Sequence, residues 1–278
     1  MKTGRGLIDE INGTETAPGC GAAWWLGQHG FVFKLGHAVC YIDAFLSPHP
    51  ERLIPPLLRP EEITNADLIC GSHDHTDHID RETWPAIAEA SPKARFAVPL
   101  LLREQIIAEL RLAPERVVGM DEGLLAEVEG LCLSAVPAAH EFLDTDTETG
   151  LHPYIGFVLN GNGVCVYHSG DTCLYEGLPA LLRQWDFDAA FLPINGRDAE
   201  RLARKCIGNL TFQEAVDLAG AIHADLSVPT HFDMFKGNSE NPAKFLDYMR
   251  VKYPQRHAIL PRHGERFFFG QDRGTSAE

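Results

Sequence analysis

No stretch of this 278-residue chain approaches the roughly 18 uninterrupted apolar residues that a membrane span requires. The segment Met1–Cys20 is polar, with glycines and acidic residues, and has no apolar core of the kind a secretory signal carries. A cytoplasmic protein without a membrane partner is therefore expected. Positive charge is scarce as well: 24 Lys and Arg stand against 39 Asp and Glu, a net charge of −15. A nucleic-acid surface needs clustered Lys and Arg against the phosphates, so this balance argues against a broad one and leaves room only for a local basic pocket. The seven cysteines, at 20, 40, 70, 132, 165, 173 and 206, are odd in number and lack short paired spacings. They make a poor disulfide framework and fit reduced thiols. The Gly-x-Ser-x-Gly elbow of serine hydrolases is also missing.

What is present is an ordinary globular composition, 45% apolar and 23% charged. The length suits one large domain or two small ones. A single domain over 1–278 is expected, with 1–20 and 270–278 as loose ends. The chemistry concentrates in Gly71-Ser72-His73-Asp74-His75-Thr76-Asp77-His78-Ile79-Asp80. This His-x-His-x-Asp-His pattern follows the apolar run Ala66–Cys70, which has the length and bounding residues of a short buried strand. In an extended segment alternate side chains share a face, so His73 and His75 can share one ion. If the chain then turns, Asp77 and His78 can begin a second site. Imidazole with carboxylate suits zinc, manganese or iron better than calcium or magnesium. The alternative is a polar surface loop, which four potential ligands at this spacing make a poor account of the motif.

His-x-His-x-Asp-His resembles the signature of the metallo-β-lactamase superfamily. That resemblance implies an α/β fold, a four-layer αβ/βα sandwich with a two-metal site along one edge. A narrower resemblance rests on Trp24-Trp25-Leu26-Gly27, Tyr167-His168-Ser169-Gly170-Asp171 and Val228-Pro229-Thr230-His231-Phe232-Asp233. With the first motif, these blocks resemble the L-ascorbate-6-phosphate lactonase branch. The ordered resemblance implies His140 as third ligand of the first metal, Asp171 as the bridging ligand and His231 as completing the second metal with Asp77 and His78. Branch members need not keep a histidine at the place of His140, so its presence leans towards a complete two-metal set: His73, His75, Asp77, His78, His140, Asp171 and His231.

Before the motif, Ala22–Leu26, Phe31–Leu35 and Val39–Asp43 read as a meander of strands. Its Gly27-Gln28-His29-Gly30 loop is expected to bring Gln28 to the metal edge, where relatives often carry Gln or His. Asp43 resembles a family aspartate beside the site; a loop-bracing role is equally open. After it, Arg81–Ala90 and Leu100–Arg111 read as helices around a strand at Ala94–Val98, and His168 as a packing residue behind the site. Thr211-Phe212-Gln213-Glu214 has the form of a helix-opening capping box. Pro193–Asp198 is a loop expected to face the site, with Arg197 opening the best local concentration of positive charge. Asn195 and Arg197 are candidates to hold an anionic group of the substrate, since a guanidinium fork matches carboxylate or phosphate. A solvated helix face or an intersubunit ion pair is the alternative for Arg197.

The expected activity is hydrolysis by a hydroxide made from water on the metals, whose pKa falls from about 15.7 to about 7, with Asp77 orienting it. Two divalent ions, probed first as manganese or zinc, are the expected cofactors. The leading substrate is a sugar-acid lactone or its phosphate; a small phosphodiester or cyclic nucleotide is the alternative. A non-catalytic binding protein would be expected to lack ligands that this chain offers. Relatives that assemble suggest a homo-oligomer.

Overall fold

The computed structural model describes residues 1–270, which begin with a helix, α1 (Arg5–Gly13). Leu7, Ile8 and Ile11 lie on one face of it and are fully buried. Trp24 fixes the helix further, its Nε1 donating to Glu10 Oε1 at 2.9 Å. The loose end expected over residues 1–20 is thus corrected. Three apolar residues among polar ones are too faint a stripe to mark a docked helix in the sequence.

The first half of the chain opens as an antiparallel meander, β1 (Cys20–Gly27), β2 (Gly30–Leu35) and β3 (Ala38–Ile42). It continues in parallel with β4 (Leu68–Cys70) and then, across α2 (Trp84–Ala90), with β5 (Arg95–Pro99). Helix α3 (Arg103–Leu110) leads to β6 (Val117–Met120), also parallel. The second half repeats the plan. An antiparallel run comprises β7 (Leu125–Val128), β8 (Leu131–Pro137), β9 (Ile155–Gly161) and β10 (Val164–His168). Helix α4 (Leu178–Leu182) precedes the parallel strand β11 (Ala189–Pro193). Helices α5 (Ala199–Ala203) and α6 (Phe212–Ala221) precede β12 (Leu226–Thr230), and α7 (Ala243–Lys252) precedes β13 (His257–Ala258). The last strand, β14 (Arg266–Gly270), returns to pair with β1. Two seven-stranded mixed sheets result, ordered β14-β1-β2-β3-β4-β5-β6 and β13-β12-β11-β10-β9-β8-β7.

Strand alternation decides the layering. Ala23 and Trp25 of β1, with Phe31 and Phe33 of β2, enter a core shared with Phe157, Val166 and Phe191 of the second sheet. Phe191 meets Phe31 and Phe33 edge-on at ring distances of 4.7 and 4.8 Å, the favoured geometry of aromatic pairs. The intervening residues Ala22, Trp24, Leu26 and Val32 face the other way, towards Leu7 of α1, Trp84 of α2 and Ile106 of α3. Helices α6 and α7 pack on each other and on β11, β12 and β13. The architecture is the αβ/βα sandwich expected. Among the described residues no helix is long and apolar enough to cross a membrane.

Two of the expected elements are shorter than anticipated. The helix expected from Arg81 begins at Trp84, where Pro85 fits the first turn. Asp80 is instead spent on the loop after β3, accepting from the backbone of Leu46 and Ser47 at 2.8 and 2.9 Å. The helix expected over Leu100–Arg111 is α-helical only over Arg103–Leu110, with a tighter 3-10 turn over Leu100–Leu102 before it.

Candidate metal centre

The candidate ligands lie in segments that follow strands of both sheets. Short, fully buried β4 delivers Gly71-Ser72-His73, and the motif then turns, with the His78 and Ile79 amides donating to His75 O at 3.0 and 2.8 Å. Gly71 is required there, because a Cβ would come within 2.4 Å of the Ile79 side chain. Asp171 follows β10 across Gly170, whose φ of +58° favours glycine and whose added Cβ would lie 2.5 Å from Ile155 O. His231 follows β12 directly with φ 59°, and its amide donates to Gln28 O at 2.9 Å. Gln28 and Asp43 also have left-handed backbones, φ 51° and 48°. Such strain at non-glycine residues is sustained only where surrounding structure enforces it.

Together these segments make two clusters. His73, His75 and His140 bring one ligand atom each within 4.8 Å of one another, and so do Asp77, His78 and His231. Asp171 lies between them. Its Oδ1 is 3.6 Å from His78 Nε2, and its Oδ2 is 3.1 Å from His231 Nε2 and 3.8 Å from His140 Nε2. The structure therefore brings all seven candidate ligands into one site.

Neighbouring groups orient the rings. Asp43 Oδ2 accepts from Ser72 Oγ and from His78 Nδ1, both at 2.7 Å. Ser72 Oγ, its proton committed to Asp43, can accept from His73 Nδ1 at 3.0 Å. Gly208 O accepts from His140 Nδ1 at 3.3 Å. With each Nδ1 donating outward, the Nε2 lone pairs of His73, His78 and His140 face the middle of the site. His73 Nε2 lies 2.9 Å from His75 Nδ1, and His78 Nε2 and Asp171 Oδ1 are buried with no hydrogen-bond partner among the described residues. Each orphaned buried polar group costs about 1–3 kcal/mol. Lone pairs gathered this way fit cations, and the nitrogen-rich donor set fits zinc, manganese or iron.

The charges agree. Burial holds His73 well below its usual pKa and His140 down at about 4, so both stay neutral, as ligands must. Burial would raise Asp171, but His231 and His78 overcome it and hold the carboxylate well below its usual range. His78 is the exception: burial lowers it, yet Asp171, Asp43 and Asp77 together push it up to about 10. An ion bound here has to displace that proton.

Behind the ligands, His29 Nε2 donates to Gly170 O at 2.9 Å and His168 Nε2 to His29 O at 2.8 Å. The sequence places His168 behind the site but assigns nothing to His29, whose bracing of the Gly170-Asp171 turn depends on a contact between sheets.

A pocket of about 390 Å³ opens on the clusters, lined by His75, Asp77, His140, Asp171 and His231 and by Lys205, Cys206, Ile207 and Asn238. None of the three residues expected to touch substrate lines it. Arg197 spends its fork on Glu214, at 2.8 and 2.7 Å; the cation on the pocket wall is Lys205. Asn195 is buried, donating to Asn238 Oδ1 at 2.7 Å and accepting from Asn209 Nδ2 at 3.1 Å. Asn238 is the amide that lines the pocket. Gln28 is fully buried, with Nε2 at 3.1 Å from both Asp77 Oδ2 and His231 Nε2. Lys205 lies in the basic run that the sequence shows, while Cys206 and Asn238 carry no local signal; loop packing alone brings them there.

The family model described as Beta-lactamase superfamily domain matches residues 40–232. The chain belongs to this family. A UPF0173 metal-dependent hydrolase of Methanosarcina mazei is 26% identical over 239 residues, covering 85% of this chain and 94% of that protein. Another, from Archaeoglobus fulgidus, is 25% identical over 251 residues, covering 89% and 98%. Among solved structures, Igni18, a metallo hydrolase from Ignicoccus hospitalis, superposes with a TM-score of 0.70 at 19% identity, covering 91% of this chain and 99% of that one. The β-lactamase-superfamily match takes in all seven candidate ligands and leaves Gln28 outside it.

Proposed function

We propose that this superfamily member is a metal-dependent hydrolase of small molecules, with His73, His75 and His140 holding one ion, Asp77, His78 and His231 a second, and Asp171 between them. The observation that carries the reading is the convergence of imidazoles and carboxylates on Asp171, with His78 Nε2 and Asp171 Oδ1 buried and without a hydrogen-bond partner among the described residues. The description of the Methanosarcina mazei relative as a metal-dependent hydrolase supports it.

Divalent ions held there would lower the pKa of water from about 15.7 to about 7 and so supply a nucleophile at neutral pH. The residues of the chain do the rest. Asp77 lines the pocket, and although burial works to raise its pKa, His78 and His231 hold it ionised. It can therefore orient an attacking water by accepting its hydrogen bond. Lys205 and Asn238, on the pocket wall, suit an anionic end of the substrate. The sugar-acid lactone or its phosphate, implied by the resemblance of the Trp24, Tyr167 and Val228 blocks, is the substrate class we assign first. The same lysine equally suits a phosphodiester, the second reading.

The test is elemental analysis of the purified protein, then hydrolysis of sugar-acid lactones and of bis-nitrophenyl phosphate by one preparation, stripped and reloaded with manganese or zinc. Two ions per chain and metal-dependent lactone opening are expected. Cleavage of the phosphodiester alone would transfer the assignment to the second reading, and a protein that takes up no metal would end both.

A further inference from the structure

We infer that Gln28 is itself a ligand of the second ion, through its side-chain carbonyl oxygen, and so adds a hard oxygen donor to Asp77, His78 and His231. The inference rests on the ligand sets assigned above, and begins from where Gln28 is held. It sits at the tip between β1 and β2 with a left-handed φ of 51°. Its carbonyl accepts both the His231 amide, at 2.9 Å, and Trp25 Nε1, at 3.1 Å. Strand, loop and histidine therefore fix its backbone against the site.

The fully buried side chain ends on two atoms of the second cluster. Its Nε2 lies 3.1 Å from Asp77 Oδ2 and 3.1 Å from His231 Nε2, while Oε1 is buried with no partner among the described residues. Proton accounting makes this arrangement unsatisfied. His231 Nε2 also lies 3.1 Å from Asp171 Oδ2. If that nitrogen carries hydrogen for Asp171, it offers no lone pair to the Gln28 amide. If it keeps the lone pair for Gln28, it faces the carboxylate unprotonated. A half-turn about the last side-chain bond exchanges amide nitrogen and oxygen with little change of shape. The turned amide directs an oxygen lone pair at Asp77, which is unfavourable unless a cation stands among them. With a cation, Gln28 Oε1, Asp77 Oδ2 and His231 Nε2 all become donors to it, and no proton has to be shared. A buried amide with one oxygen unclaimed and the other end against two ligand atoms is the arrangement such a donor requires.

Oxygen donors and higher coordination numbers favour manganese and iron, whereas zinc accepts four ligands rich in nitrogen. Gln28 thus gives the second position a preference that the histidines do not.

The experiment uses cobalt(II), whose visible d–d absorption strengthens as coordination number falls. Wild-type protein, Gln28→Leu and Gln28→Glu are titrated with cobalt, and the spectrum of the second equivalent is recorded with its Kd. Gln28→Leu is expected to weaken the second equivalent at least about tenfold, the scale seen even for residues one step from a metal, and to intensify its d–d bands. Gln28→Glu, which keeps an oxygen, should retain the wild-type band intensity and bind at least as tightly. Should Gln28→Leu not fold, a drop in band intensity back to the wild-type level in Gln28→Ser with added formate, from the raised intensity of Gln28→Ser alone, reads the same oxygen. Unchanged band intensity in the leucine variant, or in the serine variant with and without formate, would overturn the inference even if affinity fell. A wild-type protein that binds only one cobalt would remove the Asp77, His78 and His231 set, and Gln28 with it.

Discussion

At the scale of single residues, the site depends as much on the groups behind the ligands as on the ligands. Asp43 receives the Ser72 amide at 2.8 Å, the Ser72 hydroxyl at 2.7 Å and His78 Nδ1 at 2.7 Å. Asp43→Ala should weaken metal binding about 10–100-fold, read by competition with a chromophoric chelator. Asp43→Asn, which keeps an acceptor for His78 but loses the charge, should fall between the two. His78 gives a signature in pH. Without metal its pKa stands at about 10, above an unfolded value of about 6.5. A raised pKa contributes stability that is fully present below about 6.5 and is lost as pH rises through about 10. Denaturant midpoints of chelator-treated protein should fall across that window, whereas metal-loaded protein, its ring already neutral, should lack this loss. Near-equal falls in the two forms would remove His78 as the cause.

At the scale of elements, α1 and α6 offer opposite lessons in legibility. The Thr211–Glu214 capping box is visible in the sequence and closes as expected: Thr211 Oγ1 accepts from the Glu214 amide, and Glu214 Oε2 from the Thr211 amide at 2.9 Å. Glu214 also occupies the fork of Arg197. Thr211→Ala should cost about 1 kcal/mol in thermal or urea unfolding and leave metal content unchanged. Helix α1 has no such signal, since its capping residue makes no side-chain bond and only three of its residues are buried. Ile8→Ala should nonetheless destabilise by about 2–5 kcal/mol, because Ile8 is fully enclosed. A loss near zero would return the N-terminal segment to the loose end that its composition suggests.

At the scale of the whole molecule, the candidate ligands come from both sheets: His73, His75, Asp77 and His78 follow β4 of the first, while His140, Asp171 and His231 follow β8, β10 and β12 of the second. Ions bound between them should act as cross-links, so chelation should lower the thermal midpoint and readdition restore it. Free metal at 100 times Kd is worth about 2.7 kcal/mol per site, read by calorimetry with and without chelator. The sequence by itself determined the strands through their two-residue alternation, the tight turns through glycine, and the ligand candidates, because histidine and aspartate spaced after buried strands have few other uses. It also displayed charge without partners. Only the tertiary structure decided that Arg197 belongs to Glu214, that Lys205 and Asn238 reach the pocket instead, and that Gln28 lies against Asp77 and His231. Those choices are made between segments 17 to 203 residues apart in the chain, where local pattern carries no information and only the packing of loops on one another and of one sheet on the other sets which side chains meet.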